Sequence, residues 1–318
     1  MRRLQRLKAS AALRDLVAEV GFGQGQLVQP LFAVEGLAAP AAVSGLGENV
    51  RLPLDSLGGQ VERDLEAGVR QFLLFPVGAN RSEGDFDPGF ACRAIEIVRA
   101  RTGEAATLWV DTCLCSYTRS GHCGLHDARD RPDLPRTLQA LAHLAMAYAD
   151  AGADGVAPSD MNDGRTAALR AALDGRGHDR LPIMSYSSKF ASQLYGPFRQ
   201  AAESAPRSGD RRGYQLDVRS ARDAIAASER CAEEGADLLM VKPGMSSADL
   251  IGPIAARTGR PVGAYQVSGE YAGLALLARE GLTDFDAALL ESWYVLRRAG
   301  AAFVVTYGAR HARRIGLH

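Results

Sequence analysis

The sequence lacks any long apolar run and any excess of charge of one sign. No stretch of 18 consecutive apolar residues occurs in its 318 residues, so the sequence predicts no transmembrane helix. The 37 basic residues balance the 37 acidic ones, which gives no electrostatic reason to expect binding to nucleic acid or to an anionic membrane. The basic residues 1–8 lack the apolar core of a signal peptide, so we expect a cytoplasmic protein.

Lysine is also scarce. Only Lys8, Lys189 and Lys242 occur among the 37 basic residues, and the other 34 are arginines. A chain that uses arginine for ordinary surface charge keeps a lysine for what arginine does poorly, because an amine can lose its proton and attack a carbonyl. Their scarcity therefore makes the two internal lysines candidates for catalysis.

Cysteine is sparse but clustered. Of the five cysteines, Cys113, Cys115 and Cys123 fall within eleven residues that follow Asp111. An odd, clustered set fits metal binding in a reducing compartment better than disulfides. Three thiolates favour zinc and leave a fourth position for water or substrate. Two alternatives are three buried core cysteines, or a structural zinc with a fourth ligand from His122 or elsewhere.

The sequence alternates short apolar runs with longer helical patterns, as expected for repeated β-strand and α-helix units. Residues 136–150 and 221–234 carry apolar side chains at helical spacing, which predicts two of these helices. Three Gly-containing segments, at 151–154, 234–237 and 299–302, are typical of loops between a helix and the next strand. The eight candidate strands are 27–33, 71–76, 107–111, 155–157, 182–186, 238–242, 262–266 and 303–306.

Eight such units predict an α/β fold, a TIM (β/α)8 barrel over residues 26–318 that follows an N-terminal arm over residues 1–25. A doubly wound sheet is the alternative, but no G-x-G-x-x-G segment opens a first helix. In TIM barrels the C-terminal ends of the strands carry the chemistry. Asp111, Lys189 and Lys242 fall at such ends, so we expect them to converge at one mouth.

The strand that ends at Lys242 is strongly apolar, and burial lowers the pKa of an amine. A second cation on the neighbouring strand, Lys189, lowers it further. The pair predicts Schiff-base chemistry on a ketone or aldehyde, whereas two structural ion-pairing lysines are the alternative. The long polar loop at about 190–218 predicts a lid that brings arginines to an anionic substrate; a solvated insertion is the other interpretation.

Eight segments together resemble the porphobilinogen synthase family, also called 5-aminolaevulinate dehydratase, in order and spacing. The resemblance covers nearly the whole chain and fits the zinc-dependent, cysteine-rich branch of the family. The segments are 111–115 (DTCLC), 121–124 (GHCG), 157–161 (APSDM), 185–192 (SYSSKFAS), 195–199 (YGPFR), 240–244 (MVKPG), 265–271 (YQVSGEY) and 306–307 (TY).

The resemblance implies a lyase of haem and other tetrapyrrole biosynthesis that joins two molecules of 5-aminolaevulinate into porphobilinogen with loss of two waters. It implies that Lys242 holds one substrate molecule as a Schiff base. It further implies that Lys189 engages the other, either without a covalent bond or as a second Schiff base, and that Asp111 assists proton transfer. Five positions match residues of the family that bind the substrate carboxylates: Arg199, Arg211, Gln215, Ser268 and Tyr307. Three positions match residues that bind one zinc ion per subunit: Cys113, Cys115 and Cys123.

Several positions depart from the family pattern. They include residues 79–84 after the second candidate strand, and Asn162, where the family usually has methionine. Ala227 stands where magnesium-responsive members carry a glutamate, so we expect no allosteric magnesium there. The resemblance also implies a homo-oligomer, an octamer or a smaller assembly.

Three other functions remain compatible with the sequence. A divergent paralogue would act on a related aminoketone. A class I aldolase-like lyase would use Lys242 alone beside a structural zinc. A catalytically silent barrel would bind 5-aminolaevulinate without turnover.

Overall fold

The computed structural model of the chain describes residues 4–129, 131–204 and 209–317. Ten strands lie within these ranges. They are β1 (Leu27–Val34), β2 (Ala41–Ala42), β3 (Val50–Leu52), β4 (Gln71–Val77), β5 (Thr107–Thr112), β6 (Gly155–Pro158), β7 (Met184–Lys189), β8 (Leu238–Lys242), β9 (Val262–Tyr265) and β10 (Val304–Val305).

Helices follow or precede most strands, and ten α-helices lie in the same part of the chain. Short 3-10 helices occupy Leu4–Lys8, Gln24–Gln26, Leu114–Ser116, Gln193–Tyr195, Met245–Leu250 and Ala309–His311. The α-helices are α1 (Ala11–Leu16), α2 (Leu54–Glu66), α3 (Gly89–Thr102), α4 (Leu134–Asp150), α5 (Arg165–Gly175), α6 (Gly196–Ala201), α7 (Ala221–Glu233), α8 (Ile251–Thr258), α9 (Ser268–Arg279) and α10 (Phe285–Arg298).

Eight parallel strands form a barrel in the order β6-β5-β4-β1-β10-β9-β8-β7. A parallel bridge between Val156 and Ile183 joins the two ends of this order. Because a doubly wound sheet leaves two open edges, this joining rules out that alternative. The predicted TIM barrel is confirmed, and all eight candidate strands correspond to barrel strands.

Two short strands were not predicted. β2 and β3 pair with each other in antiparallel fashion, and β3 also pairs with β1 in parallel. Strands of two and three residues are too short to show the alternation of apolar and polar residues that identifies longer strands.

The predicted helices are present. α4 buries Leu141, Leu144 and Tyr148, and α7 buries Ala224 and Cys231. These residues recur at the helical period and face the barrel. The predicted glycine-containing loops are present as well, since Gly152, Gly235 and Gly300 have φ angles of 98°, 99° and 105° after their helices.

Apolar side chains fill the barrel and the layer beneath its helices. Every residue of β1 and of β7 is buried, as expected for strands covered on both faces. In contrast, α1 near the N-terminus buries none of its residues. Across the described ranges, no helix combines the length and the apolar character that a membrane crossing requires. The division into an arm and one domain stays a prediction.

Candidate active site

Strand pairing places the two internal lysines side by side. Lys189 is the last residue of β7 and Lys242 the last residue of β8, and the two are direct partners in the parallel register. Their side chains are almost fully buried, with 5% and 2% exposure. Both therefore lie at the C-terminal mouth of the barrel, where the sequence pattern predicts the chemistry.

The amine of Lys242 lies among aromatic rings. Burial, and then the positive charge of Lys189, lower its pKa well below the ordinary value, while Asp111 acts in the opposite direction. These surroundings favour the uncharged, nucleophilic form of the amine. Its Nζ atom lies 3.9 Å from the ring centre of Tyr265, 4.7 Å from Phe198, 5.1 Å from Tyr186 and 5.4 Å from Tyr195.

The amine of Lys189 is held differently. Its Nζ atom donates a hydrogen bond to the Ser159 carbonyl, which lies just beyond the end of β6. The same Nζ lies 5.7 Å from the ring centre of Tyr186, the ring that also neighbours Lys242. One aromatic side chain thus borders both amines.

Asp111, near the end of β5, is the carboxyl group of this region. Its Oδ1 atom is buried and has no hydrogen-bond partner among the residues described. Burial raises the pKa of Asp111 to about 6, although Lys189 and Lys242 oppose that rise. A carboxyl group with such a pKa exchanges a proton readily near neutral pH.

The three clustered cysteines converge. The Sγ atoms of Cys113, Cys115 and Cys123 lie within 4.8 Å of one another, and all three residues are buried. Tetrahedral zinc–thiolate bonds of about 2.3 Å require sulfurs about 3.8 Å apart. The cluster fits such an ion with little movement, and its cysteines form no disulfide. The three cysteines form a small buried cluster that packs apart from the two large apolar clusters of the barrel.

The electrostatics of the cluster favour a thiolate. The thiols of Cys113 and Cys115 donate toward the sulfur of Cys123 and lower its pKa well below the usual value, and the positive charge of Arg211 adds to this effect. Within the described ranges, the convergent ligand group contains these three cysteines and no histidine. His122 instead places Nδ1 3.2 Å from the Tyr214 hydroxyl.

Arg81 and Asn162 are among the side chains that hold the backbone of the cysteine loop, residues 113–123. Arg81 donates from Nη1 to the Cys115 carbonyl at 2.9 Å. Asn162 donates from Nδ2 to the Cys123 carbonyl at 3.1 Å and to Asp160 Oδ1 at 2.7 Å. Sequence reasoning recognised these positions only as departures from the family pattern, because nothing in a sequence indicates which distant carbonyl a side chain reaches.

The predicted lid loop, residues 190–218, contains α6 and three of the five side chains predicted to bind carboxylates, those of Arg199, Arg211 and Gln215. Arg199 donates to the Ser192 carbonyl at 3.3 Å. The Nε atoms of Arg199 and Arg211 and both amide atoms of Gln215 are buried without a partner in the described part of the chain. Buried donors without partners are rare in proteins, so this group suits an anionic ligand. Residues 205–208 of the loop lie outside the described ranges.

Ser268 and Tyr307 are fully buried. Ser268 begins α9, and its Oγ accepts a hydrogen bond from the Phe198 backbone N–H at 3.0 Å. The hydroxyl groups of Tyr307 and Tyr265 lie 3.3 Å apart. Contacts through Phe198 and Tyr265 therefore connect both predicted residues to the amine of Lys242.

The backbone also links the lid to the lysines. Leu216, next to Gln215, donates its N–H to the Lys189 carbonyl at 3.0 Å. The structure thus brings the eleven predicted site residues into one region at the barrel mouth. A buried amine, a second lysine, a titratable carboxyl and three converging thiols can together support condensation chemistry at a carbonyl.

Comparison with known proteins places the chain among its relatives. A family model described as Delta-aminolevulinic acid dehydratase matches residues 1–315. The chain belongs to this family. The family's enzyme from Mycobacterium tuberculosis is 40% identical over 313 residues, which cover 96% of this chain and 95% of the relative. The one from Halalkalibacterium halodurans is 38% identical over 317 residues, or 98% and 96% of the two chains.

A solved structure of the same family has the same fold. The delta-aminolevulinic acid dehydratase (porphobilinogen synthase) from Toxoplasma gondii, in complex with the reaction product porphobilinogen, superimposes with a TM-score of 0.94. The two sequences are 35% identical, and the match covers 99% of this chain and 91% of the other. The resemblance found in the sequence motifs is confirmed.

Proposed function

We propose that the chain is a zinc-dependent hydro-lyase that condenses two molecules of 5-aminolaevulinate into porphobilinogen with loss of two waters. The observation that carries the proposal is the pairing of Lys189 with Lys242 at the ends of neighbouring strands. Membership of the dehydratase family supports the same reaction, and the Toxoplasma gondii relative was solved with porphobilinogen.

Lys242 is the proposed nucleophile. Its uncharged amine attacks the ketone carbon of one substrate molecule, and loss of water from the adduct leaves a Schiff base. The aromatic rings around Nζ keep the amine desolvated and exclude water that would hydrolyse the imine. Lys189, held by the Ser159 carbonyl, engages the second substrate molecule beside the first.

Asp111 is the proposed proton carrier. Its pKa of about 6 allows it to take a proton from a substrate amine or carbon and to return it later. The unpartnered Oδ1 atom is the atom available for that contact.

The carboxylates of the two substrates would be held at opposite sides of the mouth. Arg199, Arg211 and Gln215 of the lid offer the buried atoms without partners, and Ser268 and Tyr307 offer hydroxyl groups. Fixing two identical molecules in distinct pockets converts a bimolecular condensation into an effectively intramolecular one.

Cys113, Cys115 and Cys123 would hold the zinc ion, because three convergent buried sulfurs suit it. When bound with one open position, zinc can polarise a carbonyl or lower the pKa of a coordinated water. All five cysteines are unpaired, which suits the reducing cytoplasm where we propose that the reaction occurs.

The test is incubation of the purified protein with 5-aminolaevulinate and zinc, followed by Ehrlich's reagent for the pyrrole. We expect pyrrole to form, to stop after zinc is removed by a chelator, and to resume when zinc returns. A class I aldolase-like lyase that needs only Lys242 would keep its turnover without zinc. A silent binding barrel would form no pyrrole under any of these conditions, and either result would refute the proposal.

A further inference from the structure

Arg81 joins the cysteine loop to the lid loop. Besides its bond to the Cys115 carbonyl, it donates from Nη2 to the Glu203 carbonyl at 3.2 Å, and the same Nη2 lies 3.9 Å from Glu203 Oε2. The side chain of Arg81 is mostly buried, with 16% exposure. A planar guanidinium presents several donors in a fixed geometry, so one side chain can hold two segments at once.

Glu203 has a backbone conformation that is unfavourable for its residue type. Its φ of 48° lies in the left-handed region that residues other than glycine rarely adopt. Arg51 of β3 provides a second partner at 2.9 Å from Glu203 Oε1. The next residue, Ser204, donates its N–H to the Arg199 carbonyl at 3.1 Å. The place where Arg81 binds is therefore directly connected to the turn that carries Arg199.

Arg211 makes a parallel connection between the same two loops. It donates to the Gly121 carbonyl of the cysteine loop at 2.9 Å and to the Ser204 carbonyl of the lid loop. Because Arg211 is also a proposed substrate ligand, its bridge and its substrate contact cannot be separated by mutation. Arg81 has no proposed substrate contact, so its bridge can be tested by itself.

We propose that Arg81 is a positioning residue that couples metal binding in the cysteine loop to the ordering of residues 196–204 of the lid loop. Three thiolates on one ion would fix the Cys115 carbonyl, which fixes Arg81 and through it Glu203. Coupling of this kind is reciprocal, so ordering of residues 196–204 strengthens metal binding as well. The identities of metal and substrate rest on the proposed function, whereas the bridge rests on the contacts of Arg81.

The experiment measures hydrogen exchange by mass spectrometry in peptides that cover residues 196–204, with and without zinc and without substrate. In the unaltered chain we expect zinc to slow exchange on the order of tenfold, and in Arg81→Ala by less than about twofold. Arg81→Lys keeps the positive charge but loses the planar guanidinium with its several donors. In this variant zinc should therefore slow exchange by an intermediate factor. Chelator competition should show zinc binding weakened on the order of tenfold in Arg81→Ala.

Two further variants serve as controls. Arg212→Ala makes the same change at an exposed arginine of the same loop, whose ion pair is with Asp210, and it should behave like the unaltered chain. Glu203→Gln removes the ion pairs to Arg51 and Arg81 but keeps the bond from Arg81 to Cys115. It should speed exchange in the lid while weakening zinc binding less than Arg81→Ala does.

Equal protection by zinc in the unaltered chain and in Arg81→Ala would overturn the proposal. If Arg81→Ala does not fold, the same comparison with Arg81→Lys decides it, and an unchanged response there refutes the bridge. Zinc-dependent protection that requires Arg81 in a protein that forms no pyrrole would refute the proposed function alone. Normal pyrrole formation with protection that is independent of Arg81 would refute only the bridge.

Discussion

At the scale of single residues, the surroundings of a few ionisable groups determine the proposed chemistry. The amine of Lys242 is buried beside another amine, and the carboxyl of Asp111 is buried beside both. Burial disfavours charge on each group, so the amine tends toward its nucleophilic form and the carboxyl toward a pKa suited to proton exchange. A sequence predicts such an environment when an apolar strand ends at the ionisable residue, as β8 does.

The shifted pKa of Asp111 predicts how stability depends on pH. Below the ordinary pKa of 3.8 the group is protonated in folded and unfolded chains, and between pH 3.8 and about pH 6 it ionises in the unfolded chain first. The cost of carrying the charge in the fold therefore grows as pH rises through this window and is complete above about pH 6. Asp111→Asn removes that cost.

We expect Asp111→Asn to raise the free energy of unfolding by about 3 kcal/mol at pH 7.5 and to change it little at pH 4. Pyrrole formation should fall by on the order of 10²-fold or more, since a general acid–base group is lost. Urea denaturation at the two pH values measures the first effect. An equal stability change at both pH values would contradict the assigned burial of the charge.

Some residues of the site could be predicted from the sequence and others could not. The cysteines and lysines were recognisable because their types are rare here and their chemistry is specific. Arg81 and Asn162 were not recognised as site residues, because arginine and asparagine are common and their contacts with Cys115 and Cys123 arise only from folding.

At the scale of elements, the site depends on the contact between the lid loop and α9. Gly269, the second residue of α9, shows how close this contact is. A Cβ atom built there would lie 2.6 Å from the Leu194 carbonyl oxygen of the lid loop. Gly273 in the same helix has open space around its own Cβ position.

This pair of glycines allows a matched prediction. Gly269→Ala should push the lid loop outward and raise KM for 5-aminolaevulinate by on the order of tenfold, with a smaller effect on kcat. Gly273→Ala should leave kinetics unchanged and stabilise the fold by up to about 1 kcal/mol, because alanine favours a helix. Steady-state kinetics of both variants checks the prediction, and equal KM values would count against the role of the lid contact.

Elements were predictable from sequence to different extents. The eight barrel strands are apolar runs with a regular place between helices, so each could be located. β2 and β3 are defined by their pairing with other segments rather than by a sequence pattern of their own. The direct pairing of Lys189 with Lys242 could not be predicted from the two strands alone, because it depends on the register of the folded barrel.

At the scale of the whole molecule, a bound ion should stabilise the fold, because only the folded chain brings the three cysteines of the cluster together. At a free zinc concentration of 100 times Kd, we expect stabilisation of about 2.7 kcal/mol. Cys123→Ala should lose most of this effect, whereas Cys92→Ala, at a free cysteine outside the cluster, should keep it. Thermal unfolding at several zinc concentrations measures the difference, and an equal response of the two variants would exclude the cluster as the metal site.

The implied homo-oligomer stays a prediction, which sedimentation of the purified chain tests.

Borohydride reduction in the presence of 5-aminolaevulinate, followed by peptide mapping, tests the central claim most directly. We expect a reduced substrate adduct on Lys242, no adduct there in Lys242→Met, and none on Lys8. An adduct found only on a lysine other than Lys242, or none at all while pyrrole forms, would contradict it.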